Sequence, residues 1–373
     1  MNDNPLKRLE LFGQSIWMDF ISRSVITSGQ LAKWISEDGV SGVTSNPSIF
    51  EKAIAETHDY DAAIDDLLRR GKNSAEIYDA LTISDIQQAA DVFRPVFEQT
   101  KGADGFVSIE VSPYLADDTQ STIKEARRLW QTVNRPNIMV KIPGTEEGLP
   151  AIQQMISEGV NINITLLFGI PRYEQVIEAY LKGLEERATK GLPLENISSV
   201  ASFFLSRIDV LVDPLLANLS ANQSHETETL AHSLQGEVAI ASAKIAYQTF
   251  TKSIESDRFQ TLDKKGARKQ RVLWASTSTK NPAYSDVKYV EPLIGRDTIN
   301  TVPVETLDAY RDHGKPALRI HEELAHAHKV IESLEDLKIN IDAVTQELED
   351  EGVEKFSFSY QKLLACLDEK IRK

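Results

Sequence analysis

The chain has 373 residues, 41% hydrophobic and 26% charged: long for one ordinary domain, but within the range of an α/β barrel carrying insertions. Its net charge of −15 implies an acidic surface that repels nucleic acid and anionic lipid, although a locally basic site for an anionic small substrate stays open. No run approaches about 18 consecutive apolar residues, Met1–Glu10 lacks the apolar segment of a signal peptide, and the single cysteine, Cys366, excludes an internal disulfide. Together these point to a cytoplasmic protein with no membrane partner; the choice between monomer and homodimer stays open.

Strands are predicted at Ser15–Phe20, Gly42–Thr44, Phe106–Val111, Ile138–Pro143, Asn161–Phe168, Ile197–Phe204, Arg271–Ser276 and Lys288–Ile294. Helical patterns lie between them, at Gln30–Glu37, Asp59–Gln99, Thr119–Val133, Leu149–Glu158, Arg172–Thr189 and Glu237–Lys252. Strands alternating with helices argue for a parallel sheet, and eight such units argue for its closure into a (β/α)8 barrel. The barrel is expected over about 14–300. Polar, mobile stretches are expected at Ser220–Thr229 and Lys264–Gln270. A helical extension is expected over about 302–373, the whole of 1–373 forming a single domain.

Strand side chains alternate between faces. The fourth strand sends Ile138, Val140 and Ile142 outward under the helices, and Met139 and Lys141 inward. The third sends Ser108 and Glu110 inward, the fifth Asn161, Asn163 and Thr165, with Ile162, Ile164 and Leu166 outward. The first sends Trp17 and Asp19 inward, with Ile16, Met18 and Phe20 outward. The sixth places Ser202 and Phe204 on one face, and the seventh Trp274 and Ser276. Barrel interiors are ordinarily filled by branched apolar side chains, and burying unpaired polar groups costs several kcal/mol each, by roughly the transfer scale. Any one of these residues could be a structural ion pair or a satisfied core polar group. Their coincidence at the C-terminal ends of several strands points to chemistry instead.

An amine enclosed in a low-dielectric barrel loses solvation of its charged form and becomes nucleophilic. It attacks a ketone to give an imine, and the iminium stabilises the carbanion left when the adjacent C–C bond breaks, without a metal or cofactor. Lys141 is the candidate. Asp19 and Glu110 are the inward carboxyls available for acid/base work. Asn46 and Asn163 can hold the three-carbon carbanion, Thr165 can position a water, and Arg207, with neighbouring hydroxyls, can clamp a phosphate.

These residues sit in stretches that resemble the transaldolase family. Thr44-Ser45-Asn46-Pro47-Ser48 resembles its Asn-Pro-Ser signature, Ile138–Pro143 its lysine strand, Asn161–Phe168 its fifth strand, and Ser202–Arg207 its sixth, with Asp19 and Glu110 in the expected order. The match runs from Asp19 to about Ser276. The resemblance implies transfer of a dihydroxyacetone unit from a ketose phosphate to an aldose phosphate in the non-oxidative pentose phosphate pathway. It assigns the Schiff base to Lys141, C–C cleavage to Asp19, and the catalytic water to Glu110 with Thr165. Asn46, Asn163, Ser202, Phe204, Arg207, Ser276 and Lys280 would bind substrate. Shorter members carry Ser-Phe-Arg after the seventh strand; this chain has Ser276-Thr277-Ser278-Thr279-Lys280, so Lys280 stands as the nearest cation in place of that arginine.

Two rivals accompany this reading. One is a fructose 6-phosphate aldolase that releases free dihydroxyacetone, though those relatives are shorter and carry Gln at the position of Glu110. The other is a non-catalytic sugar-phosphate binder. His321-Glu322-Glu323-Leu324-Ala325-His326 resembles a zinc motif with one residue too many; on a helix the two histidines would diverge by about 140°. No dinucleotide or Walker A pattern occurs. Cys366 is expected as buried filler.

Overall fold

A strand that is apolar on one face and polar on the other at its end needs helices outside and a closed interior. That is the arrangement in the computed structural model, which describes residues 4–222 and 224–372. Eight parallel strands close in sequence order: β1 (Gln14–Met18), β2 (Val40–Val43), β3 (Phe106–Glu110), β4 (Ile138–Pro143), β5 (Ile162–Leu167), β6 (Ser199–Phe204), β7 (Gln270–Ala275) and β8 (Thr298–Val302). Residues opposite one another on parallel neighbours share a face. Glu110 lies opposite Lys141, and Lys141 opposite Asn163, so these three form one inward layer as the alternation requires. Lower down, Trp17 fills the interior because its neighbour is Gly42, where a Cβ would lie 2.4 Å from the indole ring.

The helices begin where local chemistry supplies their orphan N–H groups with acceptors. Asn46 caps Pro47–Ala55 by accepting from the Ile49 N–H at 2.9 Å, with proline in the first turn. Asn73 and Glu76 form a reciprocal capping box at Ser74–Gln99. Helices Thr119–Val133, Gly148–Glu158, Ile170–Thr189 and Val238–Glu255 follow the predicted ones closely.

Several expectations are corrected. The eighth strand is Thr298–Val302, not Lys288–Ile294. The latter is turn and a short 3-10 helix whose Tyr289, Val290 and Leu293 are buried as core filling, so its apolar run has no strand periodicity behind it. The long pattern from Asp59 breaks into Asp61–Arg69 and Ser74–Gln99, with Gly71 in the left-handed region between them (φ 72°). Gln30–Lys33 runs on as a π-turn to Asp38. Of Ser220–Thr229, residues from His225 onward begin the helix His225–Leu234, and residue 223 lies outside the described residues. Lys264–Gln270 ends in a buried Gln270 that opens β7 and donates to Ser199 at 3.0 Å. Phe20 does not point outward, because β1 stops at Met18 and Phe20 lines the central cavity. Trp274 lies opposite Phe203 and Asn300, on the face away from Ser202, and Ser276 lies beyond the end of β7.

Leu166 departs from the expected outward packing in another way. It has φ 60°, and the β5–β6 register shifts between Ile164 and Leu167. Its side chain meets Gly352, where a Cβ would lie 2.8 Å from Leu166 Cδ2. Gly352 belongs to the long C-terminal helix Ile341–Arg372, which packs on helices Pro47–Ala55, Ser74–Gln99 and Ser206–Asn222 and on β5. Those contacts carry it across the C-terminal end of the barrel. Among the described residues, no helix is long and apolar enough to cross a membrane.

Candidate active site

The layer of inward polar residues opens into a cavity of about 560 Å³ at the C-terminal ends of the strands. Lys141 is at its base with a side chain only 4% exposed. Its Nζ donates to the Ser45 carbonyl at 3.1 Å and lies 3.2 Å from Glu110 Oε2. The second contact is an ion pair outside hydrogen-bond angles, so both Glu110 oxygens lack a hydrogen bond among the described residues. Burial pushes the Glu110 carboxyl up to about 7, with Lys141 opposing the shift and Asp19 adding to it.

Asp19 lines the same cavity from the turn after β1. Thr44 donates to its Oδ1 at 2.8 Å, and Thr44 in turn pairs with Thr301 at 2.8 Å, so the carboxylate is oriented by a chain of hydroxyls across β2 and β8. Burial raises its pKa; Lys141, Thr44 and Arg207 pull it down. Asn46 also faces the cavity, and since its carbonyl oxygen is spent on the helix cap, its amide N–H groups are what it offers.

Asn163 and Thr165 are placed differently. Asn163 is fully buried, donating to Ser108 at 3.0 Å and accepting from Ser202 at 2.7 Å; it lies beneath the cavity, and Ser202 is the member of that chain that lines it. Thr165 is likewise fully buried on the Lys141 face, and its Oγ1 has no hydrogen-bond partner among the described residues.

Phe204, Arg207, Ser276 and Lys280 gather at the wider end. Arg207, in the first turn of Ser206–Asn222, sits 5.6 Å from the Phe204 ring, and its Nη1 has no hydrogen-bond partner among the described residues. Burial lowers its pKa, with Asp19 and Glu351 opposing. Ser276 reaches the cavity through a left-handed backbone (φ 53°) and pairs with Ser206 at 2.8 Å, joining the β6 and β7 loops. Lys280 is exposed and donates to Ser278 at 2.5 Å.

The structure adds residues that sequence reasoning missed. Phe356, on the C-terminal helix, is 4% exposed and closes the wall, its ring 5.6 Å from Lys141 Nζ and 5.9 Å from Arg207. Nothing local marks it, since its role exists only once the helix crosses the mouth. Lys52, one turn beyond Ser48 on the capped helix, lines the cavity as a further basic residue beside Lys141, Arg207 and Lys280, and Thr44, Thr301 and Ser45 orient the ionisable groups. His321 and His326 do not share a helix: Leu324–Asp336 starts after His321, which stacks on Tyr247 instead. Cys366 is half-buried.

The sequence profile of the Transaldolase/Fructose-6-phosphate aldolase family matches residues 16–367. A protein named Transaldolase from Trichodesmium erythraeum is 50% identical over 376 residues, covering 100% of this chain and 99% of the relative. One named Transaldolase 2 from a Nostoc species is 50% identical, covering 99% and 98%. A Transaldolase from Thiobacillus denitrificans is 47% identical, covering 97% and 99%. This chain belongs to the transaldolase/fructose-6-phosphate aldolase family.

Proposed function

We propose, from membership of that family, that this chain is a transaldolase that moves a dihydroxyacetone unit from a ketose phosphate to an aldose phosphate through an imine on Lys141. Sedoheptulose 7-phosphate and fructose 6-phosphate are the donors, and glyceraldehyde 3-phosphate and erythrose 4-phosphate the acceptors, in a cytoplasmic pentose phosphate pathway. The observation that carries this reading is a buried lysine at the base of a cavity, flanked by one carboxyl on the substrate side and another behind it.

Family membership and position together support the following roles. Lys141 Nζ attacks the ketone carbon, and Glu110, beside it, donates the proton with which the carbonyl oxygen leaves as water. Thr165 is a hydroxyl on the same face with hydrogen-bonding capacity to spare, suited to hold that water. Asp19 faces the substrate and takes the hydroxyl proton as the C–C bond breaks, and the iminium holds the electron pair. Asn46 and Ser202 donate to the three-carbon unit, with Asn163 orienting Ser202 from below. Arg207 and Ser276 bind the phosphate, and Lys280 and Lys52 add charge at the rim. The barrel and the C-terminal helix work as one unit, because Phe356 completes the wall.

Incubation with fructose 6-phosphate and borohydride tests the reading. Inactivation with a three-carbon mass on the peptide containing Lys141 is expected, and EDTA should change nothing. Label on Lys280 or Lys52, or retained activity, would overturn it. Assay of free dihydroxyacetone against transfer product separates transfer from the aldolase alternative, which the Glu110 carboxyl disfavours.

A further inference from the structure

Glu110 does not line the cavity that holds Lys141 and Asp19. It lines a second one, of about 260 Å³, that runs outward on its other side. At roughly 30 Å³ per water in the liquid, this passage has room for several molecules in file. Its inner end is Glu110 with Ser45; its outer end is Ala75 and Glu76, both exposed at the start of Ser74–Gln99. Tyr78 and Tyr360 wall it, stacked edge to face at 5.1 Å, with Tyr114 behind Tyr360 at 5.3 Å.

The two cavities have opposite charge. The Lys141 cavity presents Arg207, Lys280 and Lys52 to a phosphate. The passage presents Glu76, Asp79 and Glu125 against Arg128 alone, and Arg128 is engaged by Asp79 at 2.7 Å and by Glu125 at 2.8 Å. No unpaired cation is left there to attract a phosphate, so the lining excludes sugar phosphates while admitting water. At its inner end, the Glu110 side chain is only 4% exposed and its two oxygens lack hydrogen bonds among the described residues.

We propose that this passage is the route by which water leaves and re-enters the imine steps, separate from the route of the sugar phosphate. The proposal rests on the Schiff-base reading above. When the lysine nitrogen has bonded to the ketone carbon, the former carbonyl oxygen takes one proton from that nitrogen and a second from Glu110. It then departs as water as the C=N bond forms, and hydrolysis runs the same steps in reverse. A ketose phosphate in the main cavity, with the Phe356 ring 5.6 Å from Lys141 Nζ, would obstruct the way from that oxygen to the main mouth. Glu110 stands between the reacting carbon and the second opening.

The test reads loss of 18O from C2 of fructose 6-phosphate above the uncatalysed background, which requires water to leave and return. Ala75→Trp should plug the outer end, slowing exchange at least five-fold, while binding of glucitol 6-phosphate, which has no carbonyl, stays as in the wild type. A second protein, Ala75→Cys with Cys366→Ser, is blocked by a bulky benzyl methanethiosulfonate. It should lose exchange on modification and regain its prior rate on reduction. Wild-type exchange in the plugged proteins would overturn the passage alone. A wild-type enzyme that borohydride cannot trap would instead overturn the imine.

Discussion

Both ends of the barrel are polar, and they differ in whether that polarity is satisfied. At the N-terminal end, Asp104 accepts from Ser15 and from Trp17 Nε1, and it pairs with Arg271 at 3.4 Å. Arg271 also donates to Ser15 and to the Thr298 carbonyl at 2.8 Å. The atoms left over there are neutral amide oxygens of Gln14, Asn137 and Gln270. At the C-terminal end the buried atoms without a hydrogen bond among the described residues include both Glu110 oxygens, Arg207 Nη1 and Thr165 Oγ1. Leaving a buried polar atom unpaired costs about 1–3 kcal/mol, and more when it is charged. Neutral atoms bear that cost at both ends; among the described residues, carboxyl and guanidinium groups bear it only at the C-terminal end, where a bound molecule would relieve it. Buried or part-buried groups of these kinds occur at both ends; those short of hydrogen bonds gather at the end that carries the candidate site.

Substitutions at the two ends should therefore separate activity from stability. The largest effect belongs to Lys141→Arg, which keeps the charge beside Glu110 but cannot form an imine. Turnover should fall by more than about 10⁴-fold, with a thermal unfolding midpoint close to that of the wild type. An unfolded or still active variant would break the contrast. Asp104→Ala should do the reverse. Removing one partner of a buried pair costs about 3–5 kcal/mol, read by urea unfolding, while turnover per folded molecule should hold.

Arg207→Ala is next. A loss of about 2–5 kcal/mol in kcat/KM is expected for fructose 6-phosphate, against little change for unphosphorylated fructose. Equal losses on both would class Arg207 with the structural end.

The smallest effect is one of pH. Glu110 is raised from an ordinary 4.5 to about 7, so folding favours its neutral form. Its contribution to stability is complete below about pH 4.5 and is lost as pH rises through about 7. If Glu110 is the proton donor proposed for imine formation, that proton disappears over the same upper range, so the trapping rate should fall about ten-fold per pH unit above 7. Glu110→Gln should flatten both profiles. A limb near pH 7 that survives this change would assign the titration elsewhere.

Much of this was legible in the sequence because period-two alternation survives closure. Glu110, Lys141 and Asn163 share a face in the folded barrel for the same reason that they do on paper. β8 was missed because Thr298-Ile299-Asn300-Thr301-Val302 is mostly polar, with Asn300 bonding the Tyr289 carbonyl and Thr301 bonding Thr44. The more apolar Lys288–Ile294 drew the assignment instead. Asn163 faces inward as expected but lies behind Ser202, which is the one of the pair that lines the cavity, because facing inward does not say at what depth a side chain ends. Phe356 and the passage behind Glu110 arise from contacts between elements far apart in sequence, and no local pattern encodes them.

Phe356 also has a bearing on time. Ribosomes deliver Asp19, Glu110 and Lys141, and then every remaining strand, before they deliver the residue that closes the wall over the lysine. A chain lacking the helix that carries Phe356 would therefore leave Lys141 under a more open mouth. Onset of activity should track release of Phe356 from the ribosome rather than completion of the sheet, and released chains ending before or after Phe356, assayed for transfer, would show the step there.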